Sequence, residues 1–110
     1  MKIQLTGIGW YRRGDYEALR AIFTDGHVLP PTFDEWLERA KDVEKQAKRQ
    51  GMRTVRAYID PTEFPKWCAD RGLNLDKDGR AAFGNTFAHD VLVKEEAAAK
   101  ESLKAKRKKR

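Results

Sequence analysis

Two sets of residues have the types and spacing for chemistry. Cys68, His27 and His89 are the soft ligands and nucleophiles, and Asn74, Asp76 and Asp78 are the closely spaced oxygens. A Cys–His pair makes an activated nucleophile when the imidazole takes the thiol proton, and the partners meet in space rather than in sequence. Cys68 and His89 are the pair available for that role, although Cys68 beside Trp67 on an apolar stripe is also the pattern of a buried small residue. The three soft ligands are too few and too scattered for a zinc site within the chain. Asn74-x-Asp76-x-Asp78-Gly79 follows the first half of a calcium-binding EF-hand loop, in which alternate oxygens and a sixth-position glycine wrap the cation. The match stops there, because the twelfth position is Asn85 instead of a bidentate Glu and Ala81 stands at the eighth. Asp76 or Asp78 as a helix cap explains the same letters, so no metal and no cofactor is expected.

Charge points to a different chemistry. Lys104, Lys106, Arg107, Lys108, Lys109 and Arg110 hold six of the 23 basic residues, and without them 17 basic residues balance 17 acidic ones. The net charge of +6 therefore belongs to the last seven positions, and the body is neutral. A cation of this density neutralises phosphates with little sequence preference and with an affinity that falls steeply as salt rises. Anionic lipid is a weaker match, because no strongly amphipathic anchor accompanies the tail. Lys41, Lys45, Lys48 and Arg49 form a second basic face, for which the helix dipole is sufficient reason.

Three tryptophans raise the question of a stacking platform for bases. Trp36 and Trp67 lie on helical stripes beside phenylalanines and read as core, whereas Trp10 and Tyr11, followed by Arg12 and Arg13, read as the better exposed aromatic–basic contact. Gly7-x-Gly9 lacks the third glycine of a dinucleotide fingerprint, since Arg12 occupies that place. Arg13-Gly14-Asp15 spells an adhesion tripeptide, but in a chain without a secretion signal Asp15 reads as a helix cap.

The elements that must position these residues start from one stretch, TFDEWLERAKDVEKQAKRQG at 32–51. Thr32 stands three residues before Glu35 as in a capping box, acidic residues lead, basic ones close, and Gly51 follows as a left-handed stop. Phe33, Trp36, Leu37, Ala40, Val43 and Ala47 make its apolar stripe. Before it, residues 2–11 alternate as a strand whose phase shifts at Gly7, which predicts a break there, and a helix follows over 16–24. After it, Val55, Ala57 and Ile59 share one face of a second strand. A third helix follows, with Thr62 preferred over Asp60 as cap because that keeps Pro65 in the first turn. Leu73 to Gly79 reads as a loop, and a final helix runs from Arg80, where Gly84 allows another element to approach closely. From Glu95 the sequence predicts a solvated helix passing into a disordered basic tail.

The segments LPPTFDEWL and IDPTEFPKWC, preceded by GWYRRGDYEALRAI, resemble a group of small uncharacterised bacterial proteins over about residues 8–90. The resemblance implies a bacterial, cytosolic setting and brings no activity, cofactor or catalytic residue with it.

A chain of 110 residues, 40% hydrophobic, buries one core and hardly two, so a single domain over 1–94 with an extension over 95–110 is expected. The fold class is α+β, a two-stranded sheet with about four helices in the order β-α-α-β-α-α. Two strands alone are marginal, so they either pair beneath the helices or extend across a homodimer interface. One cysteine rules out an internal disulfide framework and fits a reducing, cytoplasmic compartment. No apolar run approaches membrane-spanning length. The function expected is a non-enzymatic binding or accessory protein whose tail contacts nucleic acid. The alternatives are a protein–protein interaction or regulatory module, and a small enzyme using Cys68 and His89.

Overall fold

The computed structural model describes residues 4–108, the last five as backbone alone. Its elements are β1 (Leu5–Trp10), α1 (Tyr16–Ile22), α2 (Phe33–Arg49), β2 (Arg53–Tyr58), α3 (Glu63–Asp70) and α4 (Lys77–Lys108), with single 3-10 turns at Arg13–Asp15 and Gly26–Val28. The architecture is α+β in the expected order, and the two strands are parallel neighbours in one sheet. A parallel pair needs a crossover between its strands, and here α1 and α2 supply it.

The pairing of β1 with β2 is continuous from Leu5 opposite Arg53 to Trp10 opposite Tyr58, so the expected break at Gly7 does not occur. The phase shift has another cause. Both faces of the sheet are covered, and apolar residues are therefore useful on either parity. Gly7 faces α4, where a Cβ at either Gly7 or Gly84 would run into the other residue's carbonyl. On the opposite parity Trp10 meets Trp36 of α2 edge-on at 5.1 Å. The close approach expected at Gly84 is thus real, and Gly7 is its other half.

Helix α2 starts and stops as its sequence dictates. The Thr32 hydroxyl accepts the Glu35 amide at 3.2 Å. At the other end Gly51 has φ +83°, and the amides of Gly51 and Met52 donate to the carbonyls of Lys48 and Ala47, both at 3.0 Å. Its buried row is Trp36, Ala40, Glu44 and Ala47. Val43, expected on that row, is 53% exposed. The contact line turns toward Ala40 and Glu44, where Arg56 of β2 pairs with the Glu44 carboxylate, and Val43 is left at its outer edge.

Other local expectations change in the same way. Asp15 has a helical backbone and makes no side-chain cap, because the 3-10 turn already leads into α1. Helix α1 ends at Ile22, short of residue 24, as Phe23 turns extended and enters the core. At α3 it is Asp60 that caps, its carboxylate accepting the amides of Thr62 and Glu63 at 2.8 Å, while Thr62 makes no cap bond. Helix α4 begins at Lys77 and continues as helix through Lys108, where a disordered tail was expected; Lys109 and Arg110 lie outside the described residues.

The core is aromatic. Trp10, Tyr11, Tyr16, Phe23, Trp36 and Phe64 are all buried, and the Tyr16 hydroxyl donates to the Pro30 carbonyl at 2.6 Å. Trp10 and Tyr11, read as an exposed contact, are only 3% and 4% exposed. The reason is position, since the last residue of a strand covered on both faces is an interior one.

An added methyl at Gly7 or Gly84 cannot be accommodated without separating α4 from β1. Gly7→Ala is expected to cost about 2–3 kcal/mol, a fall in Tm on the order of 10–20 °C. Gly14→Ala, where a Cβ meets nothing within 4 Å, should melt within a few degrees of the native chain. Thermal unfolding followed by circular dichroism checks both.

Candidate functional site

Ligands of open sheets with parallel strands gather outside the carboxyl ends of those strands. At that end β1 runs on through Tyr11 to Arg12, β2 ends at Tyr58 and leads to Asp60, and α3 starts beside them. A cleft of about 600 Å³ opens there. Arg12 and Tyr58 line it from the strand ends, and Lys66, Trp67 and Arg71 line it from α3. Each set contains a cation over a ring: Arg12 lies 4.7 Å from the Tyr58 centroid and Arg71 lies 4.2 Å from that of Trp67. Trp67 packs against Phe64, nearly parallel at 6.3 Å, and against Phe83, edge-on at 5.2 Å. Arg71 is fixed further by a bond from its guanidinium to the Trp67 carbonyl at 3.1 Å. Tyr58 is 41% exposed.

Three carboxylates also border the cleft: Asp60, Glu63 and Asp70. Asp60 is committed to its two amides, and Glu63 and Asp70 are exposed. The cleft therefore offers hydrogen-bond donors and acceptors together, with no excess of either charge.

Two ion pairs hold the scaffold around it. Asp25 grips Arg80 through both oxygens at 2.7 and 3.0 Å and accepts the Lys77 amide at 3.0 Å, tying the loop after α1 to the first turn of α4. Glu44 grips Arg56 in the same bidentate fashion at 2.8 and 3.0 Å, and the Arg56 guanidinium sits 3.9 Å from the Trp10 centroid. Hydrogen bonds from the arginines hold both carboxyls below their ordinary range, against the opposing effect of burial. Burial pushes the Tyr11 hydroxyl up to about 12, partly offset by Arg80.

The sequence-derived candidates fall in separate places. Cys68 is 1% exposed, and burial pushes its thiol up, away from the nucleophilic thiolate. A Cβ at Gly79 would stand 3.5 Å from the Cys68 sulfur, whereas His89 is exposed and ten residues further along the same helix, about 15 Å in axial rise. The pair is not brought together. Asp76 caps α4, accepting the Gly79 amide at 3.0 Å, and a Cβ at Gly79 would overlap the Asn74 carbonyl. Asn74, Asp76 and Asp78 are thus a helix start, and the glycine serves close packing. Among the described residues no three His, Cys, Asp or Glu side chains converge as metal ligands, and no helix is long and apolar enough to cross a membrane.

Of the basic residues, Lys104, Lys106, Arg107 and Lys108 lie on the backbone of α4. Glu95 ties α4 to the body, paired bidentately with Arg53 at 3.0 and 3.1 Å. Every residue from Glu96 to Leu103 is exposed. The cleft itself was not anticipated, although two signals for it are in the letters. Trp67 and Arg71 are four apart, the spacing that stacks a cation on a ring within one helix, and Arg12 follows directly after a strand.

Asp25 and Glu44 bind a proton more weakly folded than unfolded. Their contribution to stability is complete above the unfolded carboxylate range of about 4 and is lost as pH falls through the lower folded values. Glu44→Gln is expected to cost about 1–3 kcal/mol at neutral pH and to flatten the fall of Tm below about pH 5, read from melts across pH. Cys68 in the native chain should react with a thiol reagent only at the rate of global unfolding, and Cys68→Ser should lower Tm without creating or removing a pH-dependent activity.

Compared with protein-family models, curated proteins and solved structures, the chain matches none of them.

Proposed function

We propose that this protein is a non-enzymatic nucleic-acid-binding accessory protein whose basic C-terminal segment contacts the phosphate backbone. The observation that carries the reading is the continuity of α4. One helix packs on the sheet through Gly84 and Ala88 and then continues past Glu95, exposed from Glu96 to Leu103, with its helical backbone running on to Lys108. Lys100, Lys104, Arg107 and Lys108 follow each other at i, i+4, i+7 and i+8, the spacing of a single helical face. A helix that presents cations at fixed intervals loses less conformational freedom on meeting a phosphate chain than a coil of the same composition. The balanced charge of the body leaves attraction to the polyanion to this segment.

A second reading, a protein-interaction module, draws on Phe87, Leu92 and Val93, apolar residues of α4 that are at least 36% exposed. A single specific protein that co-purifies with the chain, and does so independently of the basic segment, would favour it.

The test uses the full-length chain and a full-length variant with Lys104, Lys106, Arg107, Lys108, Lys109 and Arg110 changed to Gln. Anisotropy of a labelled duplex across salt should give a log–log slope of about −5 for the native chain, close to that for six neutralised phosphates, and a flat, weak response for the variant. Equal binding by the two chains would overturn the proposal.

A further inference from the structure

The cleft at the carboxyl ends of β1 and β2 has the composition of a base-binding site. We infer that it takes an unpaired nucleobase, so that the chain distinguishes single-stranded or looped nucleic acid from duplex. The inference rests on the nucleic-acid reading above and adds to it a second contact, in the body and not in the basic segment.

Three observations carry it. The first is the doubled stacking arrangement, Arg12 over Tyr58 at the strand ends and Arg71 over Trp67 on α3, both pairs lining one cleft. Bases freed from a duplex stack on aromatic rings and on guanidinium planes alike, because both present a flat, polarisable face. A guanidinium already seated over a ring is held in place before the ligand arrives, which reduces the ordering cost of binding. The second is that Trp67 is anchored, in contact with Phe64, Phe83 and Arg71. The exposed members of the two pairs are Arg12, Tyr58 and Arg71.

The third observation is the charge balance. A site for phosphate alone collects cations and avoids acids, yet Glu63 and Asp70 border this cleft as exposed carboxylates. A base edge displays donors and acceptors side by side, and it uses both kinds of partner. Guanine is the best match, since its O6 and N7 accept from an arginine fork while its N1 and N2 hydrogens suit a carboxylate. In a duplex that second edge is already paired and the base face is already stacked, so the cleft can engage only an unpaired base.

The experiment compares two labelled DNAs bound by the full-length chain: a hairpin with a six-nucleotide loop containing guanine, and a fully paired duplex of equal phosphate number. The hairpin should bind about fivefold tighter or more, the lower end of what one stacked base contributes. Tyr58→Ala and Arg71→Gln, each at an exposed position, should erase that preference while leaving duplex affinity within error of the native chain and the native fold intact by circular dichroism. Equal affinity for hairpin and duplex, or a preference that survives both substitutions, overturns the inference. The two readings fail separately. Steep, salt-dependent duplex binding with no loop preference removes the cleft site alone, and a loop preference accompanied by duplex and hairpin affinities that neutralising the basic segment leaves unchanged removes the tail's role alone.

Discussion

The contact between the backbones of β1 and α4 is the constraint on which the rest of this molecule depends. A parallel pair of strands has no hairpin to hold its register and too little area to be stable alone. Here it is clamped, with α4 against the Gly7 face and α2 against the Trp10 face. Because no side chain separates Gly7 from Gly84, the helix lies directly on the strand, and Ala88 one turn later is buried by the same approach. The strands could not be covered so closely by a helix with larger residues at those positions.

The opposite face uses charge and aromatic surface together. Glu44 is nearly buried on the apolar side of α2, which would be costly for an isolated carboxylate. Arg56 reaches it from β2 with both hydrogen bonds in place, and its guanidinium covers Trp10. Each partner satisfies a need of the other, and the pair fixes where α2 crosses the sheet. Asp25 and Arg80 do the same work between the loop after α1 and the start of α4, with Arg80 also over the Phe23 ring. Interactions of this kind contribute more to a unique arrangement than to net stability.

The class, the element order and the ends of α2 were legible because local rules set them. Thr32, Gly51 and Gly72 act through their own backbone neighbourhoods, and both glycines have positive φ. What was misread depended on partners distant in sequence. Val43 and Glu44 exchange roles because Arg56 is waiting on β2, and Trp10 and Tyr11 are interior because helices cover both sides of the strand that ends at Trp10. Asp60 and Thr62 compete for one cap, and the loop geometry after β2 decides in favour of Asp60. The cleft belongs to the same group, since Arg12 and Trp67 are 55 positions apart and only the parallel pairing of β1 and β2 brings their neighbourhoods to one end of the sheet. The basic segment was the reverse case, plain in composition, whereas the helical backbone that reaches Lys108 was not.

A helix that is at once structural and projecting works like a keyed shaft. Each residue of α4 turns its successor by about 100° and advances it by about 1.5 Å, so the azimuth of the arm is set by where Gly84 seats on the strand. A single residue inserted after Glu95 would leave composition and packing intact while swinging every later position about a quarter turn or more around the axis. The direction in which the basic segment faces, relative to the sheet and its cleft, is therefore encoded in the number of residues between Gly84 and Lys104, not in their identity.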